Sequence, residues 1–268
     1  MLVVRFIPPK SQTYQKLSEI SRTFDGLRSW KPLQWFTVWI LFSAGLSAQE
    51  ASVTPFIYWD FSSWLTGLAS LLIITLLYGG FIGKRGRIVF GREAIKRQNL
   101  LKHFVLAEGL FLLGWGFHLS TWGQALLASL PYLCGYFATL LVYALPIVTI
   151  PAPGEEPEQS WPSKHVSYGL VALLLVLIAT VLGYIYQDPV ISTAAAVYAP
   201  FLLVLIVFPA HVRHVQRARF YPIFLLAFFI SMRLPWLFIP TILLFYCLRY
   251  YFYFRHQVVY PTFGVDYD

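Results

Sequence analysis

Charge is the first thing this sequence has little of. Of 268 residues, Asp, Glu, Lys and Arg together make up 12%, about half the share a soluble domain carries. A chain this poor in charge cannot cover a water-facing surface. With hydrophobic residues at 58%, lipid must be its solvent over most of its area. That excludes a soluble enzyme. It also excludes nucleic acid as a partner, because there is no soluble face to carry it. Cysteine is nearly absent. Cys134 and Cys247 both lie inside apolar runs, which excludes a disulfide framework or a zinc site and suggests small buried hydrophobes. There is no internal repeat, no low-complexity tract, no Walker loop, no HExxH and no GxSxG. The apolar start Met1–Phe6 is too short for a signal peptide and is stopped by Pro8-Pro9.

What is abundant is the aromatic side chain. Phe, Trp and Tyr reach 18%, with nine Trp and seventeen Tyr. Trp35, Trp64, Trp122, Tyr184, Tyr186, Tyr221 and Trp236 fall at the ends of apolar runs. That is where rings sit in the headgroup layer, and we expect an aromatic belt.

The apolar runs predict an all-α polytopic transmembrane bundle of about eight spans with no soluble domain. A basic lead-in, residues 1–32, precedes the bundle at 33–254, and a short tail covers 255–268. The spans are expected near 33–48, 63–83, 102–119, 124–150, 166–186, 191–210, 219–232 and 235–254. The last two are read out of one long stretch, Phe220–Phe254. It is too long for a single span, and Met232-Arg233-Leu234-Pro235 interrupts it. Proline breaks a helix and arginine seeks water, so a hairpin with Arg233 snorkelling at its tip is expected.

Basic residues set the orientation. The lead-in carries Arg5, Lys10, Lys16, Arg22, Arg28 and Lys31, the segment after the second span carries Lys84, Arg85, Arg87, Arg92, Lys96, Arg97 and Lys102, and a third basic segment, His211–Arg219, is expected as a loop after the sixth span. Loops 49–62, 120–123 and 187–191 carry Glu50, Asp60 and Asp188 but no Lys or Arg. This asymmetry predicts an inner, cytoplasmic-type membrane with both termini on the cytoplasmic side.

Several residues are candidates for chemistry. Glu108 lies inside the third run, where a carboxyl is costly and so is a candidate for proton relay or cofactor contact. His103, His165, His211, His214 and His256 fall at one depth. Haem would need His103 and either His211 or His214 on neighbouring helices; histidines facing headgroups is the simpler reading. Glu155, Glu156 and Glu158 could hold a divalent cation, although Pro151, Pro153, Pro157 and Pro162 make a solvated loop of that segment. Arg87 and Arg92 could hold a phosphate or an anionic headgroup.

Two segments carry a family resemblance. Residues 27–46, LRSWKPLQWFTVWILFSAGL, and 76–101, LLYGGFIGKRGRIVFGREAIKRQNLL, resemble the first part of the UbiA prenyltransferase superfamily. Those proteins open on an R-P-x-x-W type segment, and their second helix leads into a cytoplasmic loop of the form N-D-x-x-D … R-P-I-x-S-G-R-I-S-x-x-Q-A. Residues 86–94 here are similar to the back half of that loop. The resemblance implies a helical bundle around an isoprenoid, with Mg²⁺ held by Asp-rich motifs. Where the first motif would stand, this chain has Gly79-Gly80-Phe81-Ile82-Gly83, and near the second it offers Glu155, Glu156 and Glu158. Family helices usually number nine. The resemblance therefore implies a degenerate member that kept the bundle.

The expectation is a non-catalytic membrane subunit, packed among lipids and other membrane-protein subunits and binding lipid or an isoprenoid or quinone-type cofactor. The alternatives are a UbiA-like prenyltransferase using Mg²⁺ on those glutamates, or a small transporter or proton-conducting subunit using Glu108.

Overall fold

The structure is a computed structural model describing residues 2–25, 32–57, 59, 61–82, 95–116, 121–145, 161–209 and 211–259. Among these residues every regular element is helical and there is no strand. Two short helices, α1 (Leu2–Phe6) and α2 (Gln12–Thr23), form the lead-in. Then follow α3 (Pro32–Val53), α4 (Trp64–Leu77), α5 (Arg97–Trp115), α6 (Trp122–Tyr143), α7 (Trp161–Ile185), α8 (Pro189–Val207), α9 (Val212–Arg233) and α10 (Phe238–His256). α4 runs on as a π-helical turn over Tyr78–Ile82. Among the described residues four stretches are long and apolar enough to cross a membrane: Trp122–Tyr143, Lys164–Ile185, Pro189–Val207 and Pro235–His256. Three of the others fall short for evident reasons. α4 is short, α5 carries Lys102 and Glu108, and α9 carries Arg213, Arg217, Arg219 and Arg233.

The long stretch 220–254 is two helices, as expected, broken at Leu234 by the turn Pro235–Leu237. The basic segment expected as a loop at His211–Arg219 is instead the first two turns of α9. Exposed Arg213 and Arg217 alternate with buried Val215 and Ala218, so one helical face packs while the other carries charge, and Arg219 turns inward with the packed face.

α3 lies at the centre: almost every residue from Phe36 to Ala48 is buried. It packs on α5, α9, α4 and α6. The approach to α5 is backbone to backbone. A Cβ added to Gly45 would overlap the Phe111 carbonyl, and one added to Gly114 would overlap the Phe42 carbonyl. Two facing glycines permit such a crossing, the small-residue packing that membrane helices use where no hydrophobic effect draws them together. α7 and α8 meet similarly through Ala172, Val176, Ala179, Ala195 and Ala199, while Leu170, Leu174, Leu177 and Val181 on α7 face outward. A helix apolar on both its packed and its outer side is built for lipid.

Two expectations about single residues fail. Trp236 is not in an aromatic belt: it is fully buried, its indole seated against Gly67 where any Cβ would collide. Trp64, Trp122, Tyr184, Tyr186 and Tyr221 are exposed, as belt residues would be. Cys247 is exposed rather than buried, and Cys134 is half-buried.

The lead-in is held to the last helix. Tyr14 donates to the Tyr253 carbonyl at 2.9 Å, and Tyr253 donates to the Ile7 carbonyl at 2.6 Å. Asp25 accepts from Tyr251 at 2.8 Å and from Arg255 at 3.0 Å.

Candidate functional site

Prolines inside three helices shape the interior. Pro131, Pro200 and Pro222 lie within α6, α8 and α9. Each lacks an N–H and so strips the carbonyl four residues earlier of its helical partner. For Pro222 that carbonyl belongs to Ala218, and the Tyr198 hydroxyl of α8 donates to it at 2.9 Å. Neighbouring side chains commonly satisfy such freed groups in membrane helices.

Around this point runs a file of buried hydroxyls on α6. Tyr132, Tyr136 and Tyr143 recur at helical spacing and are all buried. At one end, Tyr132 donates to Asp188 Oδ2 at 2.7 Å, and the Val190 N–H donates to Oδ1 at 3.1 Å, so Asp188 caps α8 from within the protein. Burial pushes its carboxyl up from the usual range, against the opposing effects of Tyr132 and Arg233. Arg233 does not snorkel. It is 4% exposed and donates to the carbonyls of Thr54 at 3.0 Å and Pro55 at 3.2 Å, just past the end of α3. Carbonyls at a helix C-terminus have no intrahelical partner and carry its partial negative charge, which makes them an internal counter-group for a guanidinium. At the other end, Arg219 is fully buried, donates to the Tyr143 carbonyl at 2.9 Å and lies over the Tyr143 ring at 4.8 Å. Tyr78 donates to Gln34 at 2.9 Å nearby on α4 and α3. Tyr198, Arg219 and Arg233 tie helices together through backbone carbonyls, and Tyr132 and Tyr78 do so through side chains.

An open groove lies between α4 and α5, with Tyr78 in its wall. It measures about 710 Å³ and is lined by Ile74, Leu77, Tyr78, Leu101, Lys102, Val105, Leu106, Gly109, Leu110 and Leu113. Among the described residues Lys102 is the one charged side chain in its lining. A Cβ added to Gly109 would meet nothing within 4 Å, so that glycine opens onto space. A concave, almost wholly apolar site of this size suits an apolar chain.

The residues singled out from sequence are scattered. Glu108 is half-buried between α5 and α6, turned away from the groove, and accepts from Ser129 at 3.0 Å. Its Oε2 is buried and has no partner among the described residues. His103 is buried on α5, which packs on α3 and α6. His211 and His214 come together at the start of α9, ring centroids 4.3 Å apart. α9 packs chiefly on α8. Among the described residues no three His, Cys, Asp or Glu gather as a metal would need. Arg87, Arg92, Glu155, Glu156 and Glu158 lie outside the described residues. Sequence reasoning missed Lys102 as a groove residue and the Tyr132, Tyr198 and Arg219 contacts. The tyrosine spacing along α6 was a usable signal; the groove left none, because it exists only between two helices.

No protein-family model, curated protein or solved structure matches the chain.

Proposed function

We propose that this chain is a non-catalytic integral membrane subunit of about eight spans, α3 to α10, that holds one long apolar chain of a lipid or isoprenoid between α4 and α5. The groove carries the reading. It is large, its lining is aliphatic apart from Tyr78 and Lys102, and it lies on the outside of the bundle, where a bilayer would supply its occupant. The resemblance of segments 27–46 and 76–101 to a superfamily that handles isoprenoids agrees with such an occupant. Both termini are cytoplasmic in this reading. The contacts of the lead-in with Tyr253 and Arg255 support that placement, because they join the lead-in to the end of α10, and the basic residues of the lead-in favour the inner side. Other membrane proteins are its partners.

Purification from native membranes in mild detergent, followed by native mass spectrometry, tests the proposal. Wild-type protein is expected to retain an amphiphile and a stoichiometric set of partner subunits. A Gly109→Leu variant, whose new side chain has room to fill the groove, is expected to lose the amphiphile while keeping its fold. Wild-type chain recovered alone and free of lipid would remove the reading.

A further inference from the structure

The groove has a polarity along its length, and that polarity describes the occupant. Lys102 and Leu101 lie at the end where α5 begins, beside Tyr78 and Leu77 at the end where α4 stops. Leu110 and Leu113 line the other end. From Lys102 to Leu113 is about 16 Å at about 1.5 Å per helical residue. That is roughly half of a hydrocarbon core about 30 Å thick, the depth of one leaflet. The groove therefore fits a tail entering from one leaflet, with its head at the level of Lys102.

At that level the chemistry is cationic. Lys102 is exposed, and among the described residues no acid pairs with it. Lys96 is exposed just before the first turn of α5. The start of a helix adds its own partial positive charge, and its first N–H groups lack intrahelical partners. The same end of the bundle bears the lead-in, with exposed Lys10, Lys16 and Arg22. A basic rim above an apolar slot one leaflet deep matches an amphiphile whose head is negative. A zwitterionic head brings the same phosphate but also a cation that the basic rim repels, so its net attraction is weaker, and an uncharged head offers no anion at all.

We infer that the groove selects an anionic phospholipid of the adjoining leaflet, its phosphate at Lys102 and one acyl tail along Gly109, Leu110 and Leu113. This rests on the groove-binding reading above and specifies the head. Lys102 supplies the head contact, and the aliphatic wall supplies sequence-tolerant burial of the tail.

The test is lipid exchange on the full-length protein in nanodiscs, comparing phosphatidylglycerol with phosphatidylcholine of identical acyl chains. Bound lipid is read by native mass spectrometry and by thermal stability. Wild-type protein is expected to prefer phosphatidylglycerol. Lys102→Gln is expected to cut that preference about fivefold, the loss corresponding to one basic residue at an anionic surface. Lys102→Arg is expected to restore it. Gly109→Leu should abolish uptake of both lipids at unchanged fold, as judged by circular dichroism. Equal binding of the two lipids by wild-type protein overturns the inference while leaving the groove reading intact. A preference unchanged in Lys102→Gln also overturns it. No uptake of either lipid removes both.

Discussion

The Tyr198 hydroxyl stands 2.9 Å from the Ala218 carbonyl oxygen, the one acceptor in α9 that Pro222 deprives of its helical bond. A proline that would leave a bare carbonyl in the core is thus compensated from the neighbouring helix, and α8 and α9 are fastened at that height. Both groups are buried, so the cost of losing either is the cost of an unsatisfied polar atom.

This pair makes a coupled prediction. Tyr198→Phe should destabilise the protein by about 1–3 kcal/mol, the range for a buried acceptor left unpaired. In a Pro222→Ala background the Ala218 carbonyl regains a helical donor, and the same substitution should cost less. Thermal unfolding of the four proteins in detergent gives the interaction energy directly. Additive losses would show that the hydroxyl does not serve that carbonyl.

The crossing of α3 and α5 should tolerate no side chain. Gly45→Ala or Gly114→Ala places a methyl on an opposing carbonyl oxygen, so the helices must separate. Overpacking a well-fitted interface costs about 1–3 kcal/mol, and contact with backbone puts these variants at the upper end. Gly79→Ala, where an added Cβ meets nothing, serves as the control and should leave the melting temperature almost unchanged.

Arg233 should not be replaceable by lysine. Its guanidinium spreads over the carbonyls of Thr54 and Pro55 with separate N–H groups, while an ammonium is a compact point charge. Arg233→Lys is expected to loosen the end of α3, read as faster amide exchange at residues 50–53. Exchange rates equal to wild type would mean that charge alone suffices.

The lead-in should release in acid. The hydrogen bonds from Arg255 and Tyr251 hold the Asp25 carboxyl below its ordinary value, which is about 3.9. A depressed value means that the contact contributes fully above about pH 3.9 and fades as pH falls through the lower folded value. Hydrogen exchange in α2 should therefore rise at the acid end in wild type. In Asp25→Asn it should already be raised at neutral pH and change little on acidification.

The sequence made the helical class legible because apolar length is additive: a run long enough to cross lipid can be counted without knowing its neighbours. The break at Leu234-Pro235 was legible for a similar reason, since proline acts on its own helix. Where a property depended on a partner, the sequence misled. Arg233 looked like a snorkelling residue because its flanking sequence says nothing of the carbonyls that arrive from residues 54 and 55. Trp236 looked like a belt residue because the gap at Gly67 lies far from it in the chain. Basic residues 211–219 looked like a loop, though buried Val215 and Ala218 make them a helix face.

By itself, then, the sequence determined the solvent of this protein and the secondary structure that solvent demands, because unsatisfied backbone groups cannot stand in hydrocarbon. Only the tertiary structure decided where two glycines let α3 and α5 touch, which hydroxyl completes the carbonyl above Pro222, and where α4 and α5 part to leave a groove. Each is a relation between atoms distant in the chain, and periodicity along one helix carries no information about the surface of another.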